Sequence, residues 1–218
     1  MAASTTKSGG LFISFEGGEG SGKSTQARIL GERLRALGRE VVLTREPGGC
    51  AFAETVRRLI LDPATPPHGA LSEALLFYAA RAAHLDAVIR PALAAGKVVI
   101  SDRFSDSTRV YQGAAGGLDP KAIDTLEKLV VGADAPNVTL ILDVPADFGL
   151  ARARVRGSSE KADRFEAREL QFHSALRDGF RKLAATKPGR CVVIDATGDI
   201  ETVAARVWSA VSARLGVV

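Results

Sequence analysis

The sequence predicts a doubly wound α/β domain built on a parallel sheet. Two observations carry that reading. Short apolar runs rich in β-branched residues recur along the chain, and stretches rich in Ala, Leu, Arg and Glu separate them. The runs are mostly continuous rather than alternating, as strands buried on both faces of a parallel sheet require. This βαβ alternation argues for one domain.

Taken in order, LFISF at 11–15 opens the sheet. It is followed by VVLT at 41–44, KVVIS at 97–101, VTLILD at 138–143 and CVVID at 191–195. Helical stretches run from Ser24 to Leu37 and from Thr202 to Arg214. Leu118-Asp119-Pro120 reads as a turn into a helix with proline at its first position. Leu71 to Ala95 is helical in period, but Pro91 should kink or break it near its end. The polar stretch at 156–163 interrupts an Arg-rich helix and is a candidate mobile flap. Residues 1–9 read as a flexible tail, leaving 10–218 as a single domain with no repeat or linker.

With 218 residues, 46% of them apolar and 25% charged, the chain can bury one sizeable core and reads as soluble. No apolar run approaches the roughly 18 residues that a membrane span needs. Glu16 cuts off LFISF before a signal segment could form, so a cytoplasmic protein with no membrane partner is expected. Cys50 and Cys191 cannot make a disulfide framework, and His68, His84 and His173 are scattered without a metal-ligand spacing. The net charge of +4 suits an anionic partner. Lys and Arg are dispersed and only 6% of residues are aromatic, so a small phosphorylated ligand is expected rather than nucleic acid.

Gly17-Gly18-Glu19-Gly20-Ser21-Gly22-Lys23-Ser24, followed by Thr25, fits G-x-x-x-x-G-K-[ST] directly after a strand and opening a helix. Glycines let the backbone curl so that its N–H groups point at a β-phosphate, aided by the helix N-terminus. Lys23 can bridge β- and γ-phosphates, and the Ser24 hydroxyl can ligate Mg²⁺. The pattern predicts ATP-type binding and says little about the acceptor. A second acidic group should face the ion from a strand end, where Asp102 and Asp143 both qualify. Asp102 is favoured because Arg103 follows it at a strand's C-terminal edge. Asp143 suits a helix cap before Pro145 at least as well.

A regulatory GTPase needs an Asn-Lys-x-Asp element, and the single asparagine, Asn137, precedes a valine. Thr44-Arg45-Glu46-Pro47-Gly48-Gly49 follows the second strand. There Arg45 could grip a phosphate bidentately, and Glu46 could fix it or hold metal-bound water. In LLFYAAR, Phe77 and Arg81 are helical neighbours that could stack a base and bond its carbonyl. The same pair also suits a core Phe beside a surface Arg, and pattern alone leaves both open.

The set FEGGEGSGKST, TREPGG, LLFYAAR, DRF and DSTRVYQG, in this order, resembles the thymidylate kinase family from about residue 11 to about residue 200. The resemblance implies a five-stranded P-loop NTPase-type sheet flanked by helices, with a small mobile lid at about 150–166. It also implies a homodimer using ATP and Mg²⁺ to phosphorylate dTMP. Carried over by motif, Phe77 would stack on thymine and Arg81 would bond a thymine oxygen. Arg45 and Arg103, with Arg57, would grip the dTMP phosphate. Thr108 and Gln112 would line the base pocket, and Tyr111 would crowd the sugar's 2′ position. Glu19 would meet the 3′-hydroxyl.

Because this P-loop carries no arginine, the resemblance places the catalytic arginine in the lid, where Arg154 and Arg164 are the candidates. A run of arginines on a solvated helix also reads as a plain charged face. The chain departs from the family at Cys50, Phe104 and Val110, all expected beside the pocket. Direct in-line transfer to an anionic phosphate oxygen needs no general base, so positioning and charge neutralisation should dominate. A kinase for UMP, CMP or AMP is the nearest rival reading.

Overall fold

The computed structural model describes residues 9–156, 165 and 169–215. Five parallel strands stand in the order β2-β3-β1-β4-β5. They are β1 (Leu11–Glu16), β2 (Val41–Arg45), β3 (Val98–Asp102), β4 (Val138–Asp143) and β5 (Cys191–Asp195). Every run read from the sequence is a strand, with ends shifted by a residue at most. The two edge strands are less enclosed than a continuous apolar run suggests. Leu43 on β2 is 38% exposed and Val193 on β5 is 42% exposed. An edge has one neighbour, so part of each such strand faces solvent.

Successive side chains of β1 serve opposite layers. Ile13 and Phe15 join Leu30 and Leu34 of α1 (Lys23–Ala36) and Val203 and Val207 of α9 (Ile200–Leu215). Phe12 turns the other way, onto Tyr78, Leu85, Val99 and Phe104. Tyr78 lies on α3 (Ala70–His84), which packs beside α2 (Ala51–Leu61).

The stretch from Leu71 to Ala95 does not break at Pro91. α3 runs into a π-helical segment, Leu85–Ile89, and then α4 (Arg90–Ala94). The Arg90 N–H reaches back to the Leu85 carbonyl, one residue further than in an α-helix. Widening the turn absorbs the clash and the missing donor that Pro91 imposes. The short α5 (Ser105–Thr108) continues into a second π-helical segment, Arg109–Ala114. Pro120 opens α6 (Pro120–Val130), where the Asp119 carboxylate accepts the Lys121 N–H at 2.9 Å.

α7 (Ala146–Arg156) and α8 (Leu170–Thr186) flank the expected lid. Residues 1–8 of the tail, Arg164 and most of the 156–163 stretch lie outside the described residues.

Two of the expected pocket departures are core residues, and Phe104 also lies against Arg81. Phe104 is fully buried with its ring edge-on to Phe12 at 4.8 Å. Val110 is buried too, and a Cβ built on Gly179 of α8 would meet it at 2.8 Å. Cys50 is the N-cap residue of α2 and is partly exposed.

A buried polar seam crosses the sheet. Ser14 and Thr139 share a hydrogen bond of 2.9 Å, and Thr139 donates to Asp106 at 3.2 Å. Arg190 holds the fully buried Asp106 carboxylate with two bonds of 2.5 and 2.9 Å. Arg190→Ala leaves that carboxylate without its fork. It should destabilise the fold by about 3 kcal/mol, read as a lower urea midpoint at unchanged slope.

Candidate active site

All five strands point their C-terminal ends at one edge, and the loops gather there. Between β1 and α1, Gly17 (φ 133°), Gly20 (φ 64°) and Gly22 (φ 91°) hold left-handed conformations that curl the loop. Gly20 has no room for a side chain, because a Cβ would lie 1.9 Å from the Gly149 carbonyl of α7. Gly22 caps α1 with no side-chain hydrogen bond, and the first turn of α1 carries no acidic residue. The helix end therefore presents positive character to an anion.

Lys23 is buried, and its Nζ donates to the Gly18 carbonyl at 2.7 Å and to Ser21 Oγ at 3.3 Å. Burial and the neighbouring Arg103 pull its pKa down to about 8, against the opposing pull of Glu19 and Asp102. The Ser24 hydroxyl donates to an Asp102 oxygen across the loop. Of the two acidic strand ends, Asp102 thus faces the P-loop. Asp143 instead accepts both Nε and Nη2 of Arg177 from α8, at 2.7 and 2.9 Å. That pairing replaces the cap expected before Pro145.

Arg103 occupies the left-handed region at φ 69°, which is strained for a residue with a side chain. The twist sends its guanidinium back over the P-loop. Nη1 donates to the Gly17 carbonyl at 3.1 Å, and Nη2 to Glu19 at 2.6 Å. The Tyr111 hydroxyl donates to the same Glu19 oxygen at 2.7 Å. Burial alone would raise the Glu19 pKa, but Arg103 and Lys23 outweigh it and bring it to about 2. Glu19 is therefore a loop anion held between Arg103 and Tyr111.

Arg45 is exposed and clasps Glu54 of α2 at 2.9 and 3.1 Å. Arg57 donates to the Pro47 carbonyl at 2.8 Å, next to the cis Glu46–Pro47 bond. Glu46 is not the partner of Arg45 that the sequence suggests. It is buried and accepts Arg81 Nε at 2.7 Å and His84 Nδ1 at 3.0 Å. Side chains alternate along an extended segment, so consecutive Arg45 and Glu46 face different neighbours.

Arg81 is 1% exposed, which excludes the surface alternative. Its Nη2 donates to Thr108 at 3.2 Å, while Tyr78 and Phe104 lie 4.6 and 5.3 Å from the guanidinium carbon. Gln112, one turn beyond Thr108, donates to Glu73 at 2.8 Å. Arg81 Nη1 and Gln112 Oε1 are both buried and have no hydrogen-bond partner among the described residues. Phe77 is half-buried, its ring 6.2 Å from Phe165, which also meets Tyr111 edge-on at 5.7 Å. Arg154 lies exposed on α7. Arg152 ties α7 to the loop after β5, donating to Ala196 and Gly198 at 3.2 and 3.3 Å.

Sequence reasoning missed His84, Glu54, Phe165 and Glu16. His84 lies three residues after Arg81, on the same helical face, so helical spacing could have found it. Glu16 ends β1 and could have been noted as a charge closing an apolar run. Glu54 and Phe165 carry no local signal.

The match with known proteins covers this whole assembly. The family model for thymidylate kinase matches residues 15–207. The chain belongs to the thymidylate kinase family. A thymidylate kinase of Nitrobacter winogradskyi is 52% identical over 217 residues, covering 98% of this chain and 94% of the relative. One of Caulobacter vibrioides is 51% identical, covering 95% and 98%. The crystal structure of thymidylate kinase from Ehrlichia chaffeensis superposes with a TM-score of 0.74. It is 37% identical and covers 93% of this chain and 99% of its own.

Within this thymidylate kinase fold, Glu16 is a carboxyl far from its ordinary behaviour. It is fully buried and accepts the Phe104 N–H at 2.8 Å and the Ser107 hydroxyl at 2.6 Å. Burial, then the nearby Asp106, raise its pKa from 4.5 to about 8. A carboxyl raised on folding contributes stability in full below its unfolded pKa and loses it as pH rises through the folded one. Stability should therefore decline between pH 5 and 8. Glu16→Gln, which mimics the protonated acid, should flatten that slope in thermal melts across the range.

Proposed function

We infer that the P-loop and the Arg81 pocket together carry the family's reaction, the phosphorylation of dTMP to dTDP by ATP. The observation that carries this reading is the pair of unsatisfied buried atoms, Arg81 Nη1 and Gln112 Oε1. One can only donate and the other accepts. Thymine offers an acceptor, O4, next to a donor, N3–H. Cytosine reverses that edge and would leave both protein atoms unpaired, a strong basis for rejection. Phe77 supplies the stacking face.

Glu19 and Tyr111 then stand at the sugar, and Arg103 at the acceptor phosphate. Arg103 is paired with Glu19 and Arg45 with Glu54. Each exchanges a carboxylate partner for a phosphate when dTMP enters, which keeps the cations compensated before binding. Gly17, Gly18, Gly20, Ser21, Gly22, Lys23, Ser24 and Thr25 hold the triphosphate. No general base is needed, because the acceptor oxygen is already anionic. Each donor aimed at the developing charge is worth about 3 kcal/mol. Arg154 and Arg164 remain the lid candidates for that task.

The donor set fits a hard divalent cation. Ser24 Oγ and an Asp102 oxygen are adjacent, and both are oxygen ligands. Among the described residues no group of three or more His, Cys, Asp or Glu could hold an ion by itself. Mg²⁺ brought in with ATP, sharing the phosphates, suits such an incomplete shell and would neutralise phosphate charge when bound. The free thiols of Cys50 and Cys191 suit a reducing cytoplasm. No described helix is long and apolar enough to cross a membrane.

A homodimer is supported by the outer faces of α2 and α3, where Phe52, Leu59, Leu71 and Leu75 are between 47% and 56% exposed. A second copy would cover them. Sedimentation should give twice the 22.9 kDa chain mass, and a Leu59→Glu, Leu75→Glu double variant should sediment as a monomer.

A coupled ADP-release assay tests the acceptor. dTMP should saturate, while CMP and AMP should give negligible rates. Phe77→Ala should raise the dTMP KM about tenfold and leave the ATP KM within about twofold. Equal rises in both constants would place the base elsewhere.

A further inference from the structure

The mechanism uses Arg81 but leaves unexplained what holds it. Four contacts surround it: Nε meets Glu46, Nη2 meets Thr108, and the Tyr78 and Phe104 rings lie close to the guanidinium carbon. Thr108 is a single weak acceptor at 3.2 Å, so the short charged bond to Glu46 dominates its aim. A carboxylate held through one oxygen still turns easily about its last torsion, which is broad and two-fold.

The second oxygen is held by His84. Its Nδ1 meets Glu46 Oε1 at 3.0 Å, and its Nε2 meets Thr44 Oγ1 at 2.7 Å. His84 is fully buried, at 0% exposed. Because a carboxylate oxygen accepts, Nδ1 carries the hydrogen. In the neutral ring Nε2 then accepts the Thr44 hydroxyl hydrogen. The backbone has been shaped around this ring. Gly49 stands at φ 89°, and a Cβ there would lie 2.4 Å from His84 Nε2 and 2.6 Å from Thr44 Oγ1. The second glycine of TREPGG is thus required twice, by its conformation and by the imidazole beneath it.

We propose that His84 is a positioning residue for base recognition, fixing the Glu46 carboxylate and through it the direction of Arg81 Nη1. The chain of hydrogen bonds runs from Thr44 at the end of β2, through His84 and Glu46, to Arg81. It makes β2 the reference frame for the base pocket, although neither Thr44 nor His84 touches the base. The inference rests on the reading that Arg81 meets the pyrimidine.

The test is steady-state kinetics in the coupled assay. His84→Leu removes the donor, and His84→Asn puts an amide nitrogen near the place of Nδ1. Expected for His84→Leu is a rise of about tenfold in dTMP KM, with kcat and ATP KM within about twofold. His84→Asn should recover most of that loss. Thr44→Val is isosteric and half-buried, so it keeps the question open should the His84 variants fail to fold. It should raise the dTMP KM two- to threefold, on the order of the loss of one outer hydrogen bond.

The effect of His84→Leu should also shrink in an Arg81→Lys background, since the two act on one contact. An unchanged dTMP KM in both His84→Leu and Thr44→Val overturns the proposal. So does a loss that falls on kcat and both KM values alike, or one that His84→Asn does not relieve. If Arg81→Lys itself leaves the dTMP KM unmoved, the base-pocket reading fails instead, and this inference with it.

Discussion

Parallel pairing of β1 between β3 and β4 forces the functional loops of this chain to one edge of the sheet. Phe15 lies opposite both Asp102 and Leu140, and Asp102 lies opposite Arg45. Glu16, Asp102, Arg45 and Asp143 therefore end their strands within reach of the P-loop. A parallel sheet requires a crossover between neighbours, and each crossover supplies a helix whose start or end lines the cleft. The glycine loop, the Asp102 carboxylate that meets Ser24 and the left-handed Arg103 all follow from this one alignment.

The second organising feature is the number of charges withdrawn from water. Arg81 and Glu46 are almost fully buried, Glu16 entirely so, and Arg103 with Glu19 in part. A buried pair seldom adds net stability over an apolar replacement, because desolvation offsets the attraction. Its value here is direction. A guanidinium clamped by a carboxylate on one side and by rings on its faces loses little further freedom when a ligand arrives. Glu19 shows the complementary logic. Two cations and a hydroxyl keep it ionised, so a charged hydrogen-bond acceptor stands ready in the loop.

Glycines carry part of the same preorganisation. Gly20 and Gly149 let the P-loop lie backbone against backbone on α7, the helix that leads toward the expected lid. Gly49 does the same for the His84 ring. At both places a methyl group would overlap a backbone or ring atom, so close approach adds to the left-handed backbone of Gly20 and Gly49 in requiring glycine.

By itself the sequence determined the five strands, the proline start of α6, the phosphate-loop motif and the family motifs. Each of these is local, written in the period of apolar residues, the spacing of glycines, or a proline's missing donor. It could not decide which charges would meet. Glu46 and Arg81 are 35 positions apart, and Glu19 and Tyr111 are 92 apart. Local pattern therefore left Arg81 as easily on the surface as in the pocket, and put Glu46 with its chain neighbour Arg45. Only the packing of α3 against the end of β2 joined Glu46 to Arg81 and His84. Once water is excluded there, each buried charge must find its partner in space, whatever its distance along the chain.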